Sequence, residues 1–369
     1  MLNPRHRTDS ARYVLPPHGL PGAALHTRLD TRMGARRAHR LAGFSLIELF
    51  IATGAMLLVI FFTLATFTMQ HQTYVVVDDV SETQQNTGSI ANLIERDLRN
   101  AGFLVPPEAA ACGVDSTSGP DMLFMSDTDA IRPVDQLPTA LRGAELGALT
   151  SSAAPSSPGS ATMTLSSFAP STGAPVIVDG QASYNGNSDF QVNGGAILVD
   201  LTNPGRGVAC GVVTSVAPPN TVVVSFANVL ASGAALPPDL RLVPAISYRI
   251  VSPGGGAPDR LLRNGVLLAK DVEDLQVAWF FDANSNGEVD ANEYQGGSGT
   301  AYDNTLVDGR DLREVRVSMV VRTSGVDPRN PNSGSVGQAL ENRSSNISPE
   351  DGHRRRLHSS TVRLRNVAS

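Results

Sequence analysis

Acidic and amide side chains recur at alternate positions in one twelve-residue segment, residues 282–293. A calcium loop of this length supplies oxygen ligands from positions 1, 3, 5, 7, 9 and 12 and turns sharply at a glycine in position 6. Gly287 occupies that position, and Val289 at position 8 can pack inward. We therefore expect calcium as a cofactor, bound by Asp282, Asn284, Asn286, Glu288 through its carbonyl oxygen, Asp290 and Glu293.

The residues before this loop distinguish it from an EF-hand, because residues 275–281 have the composition of a strand and not of a helix. Two neutral Asn ligands replace Asp, so the expected dissociation constant is weak, ~10⁻⁴–10⁻³ M. The alternative is a polar Asn-Gly hairpin loop whose acids are only solvated.

No residue combination typical of an enzyme stands out. The chain lacks Gly-x-x-x-x-Gly-Lys, His-Glu-x-x-His and Cys-x-x-Cys, and no Gly-x-Ser-x-Gly precedes a helix. A net charge of −6 argues against binding nucleic acid through overall charge, and two cysteines exclude a four-Cys zinc site. We expect a protein without catalytic residues.

One segment is long and apolar enough to cross a membrane. Leu46–Met69 spans 24 residues with a single charge, Glu48, and a helix needs roughly 20 apolar residues to span the hydrocarbon core. The run is too long for a signal peptide, and no small-residue cleavage site follows it. Basic residues precede it and acidic residues follow it, which predicts a cytoplasmic N-terminus. These residues are Arg36, Arg37 and Arg40 before the segment, and Asp78, Asp79 and Glu82 after it.

Glu48 inside this segment costs about 3 kcal/mol on insertion scales, so it should have a partner. Residues 43–48, Gly-Phe-Ser-Leu-Ile-Glu, resemble the prepilin recognition sequence of type IV pilins and type II secretion pseudopilins. The resemblance implies that a prepilin peptidase cleaves after Gly43 and that the new N-terminus, Phe44, is methylated. It also implies that Glu48 pairs with the N-terminal amine of a neighbouring subunit. The alternative is an ordinary signal anchor with an isolated glutamate.

The resemblance makes residues 1–43 a leader peptide. A basic leader of more usual length begins at Met33. We therefore hypothesise that translation starts at Met33.

A single long helix should follow the leader. No proline occurs between Pro21 and Pro106, although the chain contains 24 prolines, and proline is excluded from helix interiors. Apolar and small residues then recur at steps of three and four, which predicts one helix from about Phe44 to Asn100 with a narrow buried stripe. The stripe consists of Val76, Val80, Thr83, Thr87, Ile90, Ile94, Leu98 and Ala101.

Residues 101–369 should form a β-rich globular domain outside the membrane. Two stretches, roughly 106–175 and 324–360, carry little periodicity and are expected to be mobile. The candidate strands are Val176–Val178, Ala196–Leu201, Val208–Val216, Thr221–Ala227, Ala245–Val251, Asp274–Phe281, Leu312–Arg322 and Thr361–Asn366.

Several outer segments are similar, in their order along the chain, to the PilW-type minor pilins and the related pseudopilin J type. The segments are residues 95–103, 246–250, 272–277, 315–317 and 354–366. The resemblance implies an α+β, type IV pilin-like fold, in which the N-terminal helix packs on an antiparallel β-sheet domain. It also implies other pilin and minor pilin subunits as partners.

The two cysteines, Cys112 and Cys210, are placed by the predicted topology in an oxidising compartment, where thiols tend to pair. We expect a disulfide between them, with two free thiols as the alternative. The bridge would close a loop of nearly 100 residues and would contribute on the order of 4–5 kcal/mol in the chain-entropy model.

The basic segment 353–358, His-Arg-Arg-Arg-Leu-His, could contact DNA phosphates. No aromatic residues interleave with it to stack bases. We interpret it as a solvated turn before the last strand and do not expect a nucleic-acid partner.

These features together predict a minor pilin of a type IV pilus. It would cross the bacterial inner membrane once, with a periplasmic C-terminal domain, until assembly carries it into a pilus at the cell surface. The alternatives are a type II secretion minor pseudopilin and a membrane-anchored periplasmic ligand-binding protein.

Overall fold

The computed structural model describes residues 44–103, 105–127, 149–151, 154–166, 190–217, 221–255, 257–296, 308–328, 330–332, 340–343 and 351–367. The predicted leader and the candidate strand Val176–Val178 lie outside the described residues. The chain divides into two compact units, residues 1–63 and 64–369. One long N-terminal helix precedes antiparallel sheets, so the predicted α+β fold class is confirmed.

The helix α1 (Leu46–Asn100) is a single element of 55 residues. In the first unit, all of its residues are exposed. In the second unit, one face becomes buried from Thr83 onward, whereas the predicted stripe members Val76 and Val80 are only half-buried. The helix ends before Gly102, whose φ of +82° suits the left-handed turn that terminates many helices. The buried residues are Thr83, Thr87, Ile90, Ala91, Ile94, Asp97 and Leu98.

The described residues contain fourteen strands, which form two antiparallel sheets. Their bounds are β1 (Ala111–Val114), β2 (Met122–Ser126), β3 (Leu149–Ser151), β4 (Gly159–Ser166), β5 (Gly195–Asp200), β6 (Val208–Ala217), β7 (Thr221–Phe226), β8 (Leu240–Val251), β9 (Arg260–Arg263), β10 (Val266–Lys270), β11 (Val272–Phe281), β12 (Tyr294–Gln295), β13 (Leu312–Val326) and β14 (His353–Arg363).

The first sheet contains a closed barrel. Strand β8 pairs with β3 along one edge and with β5 along the other, and β3, β4, β7, β6 and β5 pair in that order. Every one of these pairings is antiparallel, and closure leaves the six strands without a free edge along the ring. Strands β1 and β2 extend the first sheet from β8 on one side, and β9 and β10 extend it on the other.

The second sheet has the order β12-β11-β13-β14. Its inner face forms one core with α1 and the end of β8, where Ile94 and Leu98 join Tyr248, Trp279 and Met319. Full burial of an aliphatic side chain stabilises a fold by roughly 1.5–3 kcal/mol. This core therefore holds the second half of α1 on the sheets.

Strand β5 shows how the barrel is connected to this region. Its residues alternate between two cores, as strand geometry requires. Ala196 and Leu198 belong to the core formed by the barrel strands, whereas Ile197 and Val199 belong to a separate core that includes Phe124 of β2. Side chains on one face of the barrel wall fill its interior. Side chains on the other face pack against β1 and β2.

Within the described residues, two sequence predictions about the outer region were wrong. The stretch 106–175 contains β1 to β4, and the last strand is His353–Arg363 instead of Thr361–Asn366. The basic segment 353–358 is therefore the first half of β14 and not a turn. Arg355 is buried between Glu273 and Asp351, and Arg354 pairs with Asp327, so strand pairing is compatible with three consecutive arginines.

Candidate functional site

The start of α1 places Glu48 beside the predicted processing site. The backbone N–H of Ser45 donates to Oε2 of Glu48 at 3.1 Å, and the N–H of Ile47 donates to Oγ of Ser45 at 3.3 Å. This reciprocal arrangement is a capping box, which satisfies N–H groups that a helix start leaves without partners. Phe44 is 89% exposed, and Gly43 lies outside the described residues.

Among the described residues, α1 is the one helix that is long and apolar enough to cross a membrane. Its most apolar stretch is not buried anywhere within the chain. Large side chains such as Phe50, Leu57 and Phe61 are about two-thirds exposed. A helix that is apolar on all sides and exposed on all sides needs lipid or other protein chains around it.

A buried carboxylate joins the second half of α1 to the first sheet. Oδ2 of Asp97 accepts a hydrogen bond from the Tyr248 hydroxyl at 2.8 Å and from Nε of Arg263 at 2.9 Å. Burial raises the pKa of Tyr248, and the negative charge of Asp97 raises it further. The tyrosine therefore remains a hydrogen-bond donor at physiological pH. Sequence reasoning missed this contact, although Asp97 lies three residues after Ile94 and so falls on the buried face.

The two cysteines come together across the second unit. Cys112 of β1 and Cys210 of β6 form a disulfide, with their Cα atoms 6.2 Å apart. Both residues are fully buried. The bridge links the strand that follows the helix to a strand of the barrel, 98 residues further along the chain.

The predicted calcium loop connects β11 to β12, so strands flank it on both sides. At its base, the N–H of Phe281 donates to the carbonyl oxygen of Glu293 at 2.8 Å. Asp282 is buried and accepts the N–H groups of Asn286 at 2.9 Å and Gly287 at 3.1 Å. Gly287 has a φ of +87°, which permits the sharp turn expected at the sixth position.

The remaining predicted ligands cluster around Asp290. Its Oδ2 accepts the side-chain amides of Asn284 at 2.9 Å and Asn286 at 3.3 Å. Glu293 accepts the N–H groups of Asn284 and Asp290, and Glu288 is exposed. In the described part of the chain, no group of three or more His, Cys, Asp or Glu side chains is arranged to hold a metal ion.

A cluster that sequence reasoning also missed lies where the loop ends. The ring of Tyr294 stacks on Phe280 with centroids 4.7 Å apart, and the Arg316 guanidinium lies over both rings. Glu341 accepts hydrogen bonds from Arg316, Ser318 and Tyr294. Burial acts to raise the pKa of Glu341, but these hydrogen bonds outweigh it and lower the pKa.

Two further contacts hold the same segment, residues 340–343, against the outer region. Arg343 pairs with the fully buried Asp274 at 2.5 Å, and the side-chain amide of Asn342 donates to Asp115 at 2.8 Å. No periodicity marks this segment in the sequence, and its contacts join residues far apart along the chain. Such pairs leave no local pattern.

Comparison with known proteins relates the C-terminal part of the chain to a family. Residues 257–366 match the family model of PilW, the type IV pilus-assembly protein W, and these residues include β9 to β14 and the predicted calcium loop. Comparison with curated proteins gives no match. Among solved structures, the type IV-like pilin TTHA1219 from Thermus thermophilus aligns at 11% identity with a TM-score of 0.30, over 80% of this chain and 97% of that chain. The segment 257–366 is therefore similar to PilW, and in this chain it follows a long N-terminal helix with an exposed apolar half.

Proposed function

We propose that this chain is a minor pilin, a structural subunit of a type IV pilus and not an enzyme. The match of residues 257–366 to the pilus-assembly protein PilW carries the proposal. The exposed apolar half of α1 supports it, because a filament subunit needs a surface that can leave lipid and pack against other chains. Other pilus subunits are therefore its expected partners.

We further propose that prepilin peptidase cleaves after Gly43 and that Phe44 becomes the methylated N-terminus. Glu48 would then pair with the amine of a neighbouring subunit within the filament. The position of Glu48 supports this role, since its carboxylate lies one helical turn from Phe44 and no cation pairs with it in the described residues. The Ser45 N–H alone does not neutralise the charge.

The proposed location before assembly is the bacterial inner membrane, with the N-terminus in the cytoplasm and the second unit in the periplasm. The basic residues before the apolar segment and the acidic residues after it favour this orientation. The disulfide between Cys112 and Cys210 is compatible with a periplasmic domain, because disulfides persist in oxidising compartments.

Replacement of Glu48 tests the proposed function. We expect Glu48→Ala to be cleaved normally but depleted from sheared pili, since an unpaired amine left in the filament costs roughly 3–5 kcal/mol. Glu48→Gln keeps an acceptor for the Ser45 N–H but loses the charge, so it should be depleted equally. Glu82→Ala, an exposed acid on the same helix, is the matched control. Immunoblots of pili and membranes measure incorporation, and normal incorporation of both Glu48 variants would contradict the proposal.

A second proposal concerns calcium. We propose that the loop 282–293 binds calcium weakly through Asp282, Asn284, Asn286, the Glu288 carbonyl, Asp290 and Glu293. The backbone turn at Gly287 supports it, and so does the common cluster of Asn284, Asn286 and Asp290. The two side-chain amides would rotate so that their oxygens, instead of their nitrogens, face the ion.

Thermal unfolding of the full chain in detergent micelles tests this site. At 10 mM calcium and the expected ~10⁻⁴–10⁻³ M dissociation constant, binding should stabilise the chain by ~1.4–2.7 kcal/mol, which raises the melting temperature by a few degrees. Magnesium should have a smaller effect, and Asp282→Ala combined with Glu293→Ala should abolish the calcium response. Because Asp282 also pairs with Arg313, the exposed Asp290→Asn is a second, milder variant. A melting temperature that is equal in calcium and in chelator would show that the loop is only a turn.

A further inference from the structure

The second sheet ends on a long strand that is paired on one side. β14 pairs with β13 without a register shift from Arg322↔Arg355 to Glu314↔Arg363, and no other described strand pairs with it. β14 is thus an edge strand over nine consecutive residues. An edge strand presents a row of backbone N–H and C=O groups to any chain that can pair with them.

The backbone groups of successive β14 residues point alternately toward β13 and away from it. The N–H of Leu364 donates to the carbonyl oxygen of Arg313 at 2.9 Å, and antiparallel ladders alternate between bonded and non-bonded pairs. Even-numbered residues of β14 therefore bond to β13, and odd-numbered residues direct their backbone groups outward. Within the described residues, the outward backbone groups of Leu357, Ser359 and Thr361 have no hydrogen-bond partner.

The middle of this edge lacks the features by which proteins block strand pairing. Residues 357–362, Leu-His-Ser-Ser-Thr-Val, contain no lysine, arginine, proline or glycine and no bulge. Leu357 is 42% exposed. Thr361 and Val362 are β-branched residues, which strands favour.

Charged residues flank the segment 357–362 at both of its ends. Arg356 and Arg363 are exposed, and neither has an acidic partner among the described residues. Their neighbours Arg354 and Arg355 are already paired within the chain. Seven steps of strand place the Cα atoms of Arg356 and Arg363 about 24 Å apart, with their side chains on opposite faces of the sheet.

We propose that the edge of β14 binds an extended strand of a neighbouring pilus subunit, neutral in its middle and acidic at both ends. Backbone hydrogen bonds would supply the pairing, and Arg356 and Arg363 would select and align the partner. Pairing with β14 of a second copy does not fit, because residues 353–363 contain no acid that could face Arg356 or Arg363 in any register. The identity of the partner as a pilus subunit rests on the proposed function, whereas the strand-pairing chemistry does not.

A peptide probe tests the pairing on the full chain in detergent micelles. The probe has two glutamates seven positions apart that enclose alternating threonine and valine, and lysines replace the glutamates in the control peptide. Ser359→Pro removes an outward N–H without touching the β13 ladder, and Ser359→Ala keeps that N–H.

Fluorescence anisotropy should show binding to the parent and to Ser359→Ala, with at least ~10-fold weaker binding to Ser359→Pro. The lysine peptide should bind more weakly than the glutamate probe. Absence of binding, or equal binding to both variants, would overturn the proposal.

A photo-crosslinking amino acid at position 357 in piliated cells identifies the partner. The expected product joins this chain to an extended, acid-flanked segment of another pilus subunit, whereas the same label at the exposed Val266 of β10 should not give that product. A crosslink to a second copy of this chain, or no product from pili that contain the protein, would overturn the proposal. If the protein is absent from pili, the proposed function fails, and the peptide experiment still decides whether the edge pairs.

Discussion

Two buried carboxylates of the second unit are stabilised in different ways. Asp97 has the Arg263 guanidinium at 2.9 Å, so its charge is compensated. Asp121 is 2% exposed and accepts the N–H groups of Ser116 and Val277, each at 2.8 Å, but no cation pairs with it in the described residues. A buried acid without a counter-charge tends to hold its proton.

The free energy of unfolding should therefore depend on pH through Asp121. Burial raises the pKa of this carboxyl from 3.8 to about 8, and the nearby Asp115 and Asp274 raise it as well. Since the folded-state pKa exceeds the unfolded one, the stabilisation is complete below about pH 4 and is lost as the pH rises through about 8. Between these two pH values, the free energy of unfolding falls by up to ~1.4 kcal/mol per pH unit. Urea unfolding of the full chain at about pH 5 and pH 8 measures it.

Asp121→Asn is the control for this pH dependence, because an amide keeps one acceptor for the backbone N–H groups and does not titrate. We expect the variant to lose less stability than the parent between the two pH values. Equal losses would mean that Asp121 is ionised in the folded state.

Among the elements, β1 and β6 depend on each other through the disulfide. Loss of a native bridge from a small secreted domain costs roughly 2–5 kcal/mol, so Cys112→Ala combined with Cys210→Ala should lower the melting temperature clearly. Reductant should lower the melting temperature of the parent and leave that of the variant unchanged. The chain has two cysteines, so thiol labelling after unfolding without reductant gives an independent check. Two reactive thiols in the parent would contradict the bridge.

The elements also differ in how far the sequence predicts them. The helix α1 is predictable because proline exclusion and the spacing of Ile90, Ile94 and Leu98 are local properties. The barrel is not predictable in this way, because its closure rests on the pairing of β8 with the short strand β3, far away in the sequence. Strands of three to five residues carry too few alternations to distinguish them from loops.

Strand β14 shows why a charge run misleads. Three consecutive arginines suggest a solvated turn, but a strand sends successive side chains to opposite faces. Arg355 is buried against Glu273 and Asp351, whereas Arg354 and Arg356 are exposed. The acids that make this possible lie on other segments, so the pattern becomes visible only in the fold.

For the whole molecule, the predicted processing site and the PilW match lie at opposite ends of the chain and support the same proposed role. The resemblance of residues 43–48 to a prepilin site is local and visible in the sequence alone, as are Cys112, Cys210 and the loop 282–293 as candidates. The contacts of Asp97 with Arg263 and of Glu341 with Arg316 could not be predicted from the sequence, because only the fold brings these residues together. The second unit adds a closed barrel to the segment that matches PilW.

The central claim is that the mature chain is a subunit of the pilus. Mass spectrometry of pili sheared from the cell surface and purified from membranes tests it most directly, with an unrelated inner-membrane protein as the contamination control. We predict peptides from the second unit in the pilus fraction, together with an N-terminal peptide that begins at methylated Phe44. Recovery of the chain from membranes alone, or with an N-terminus upstream of Phe44, would contradict the claim.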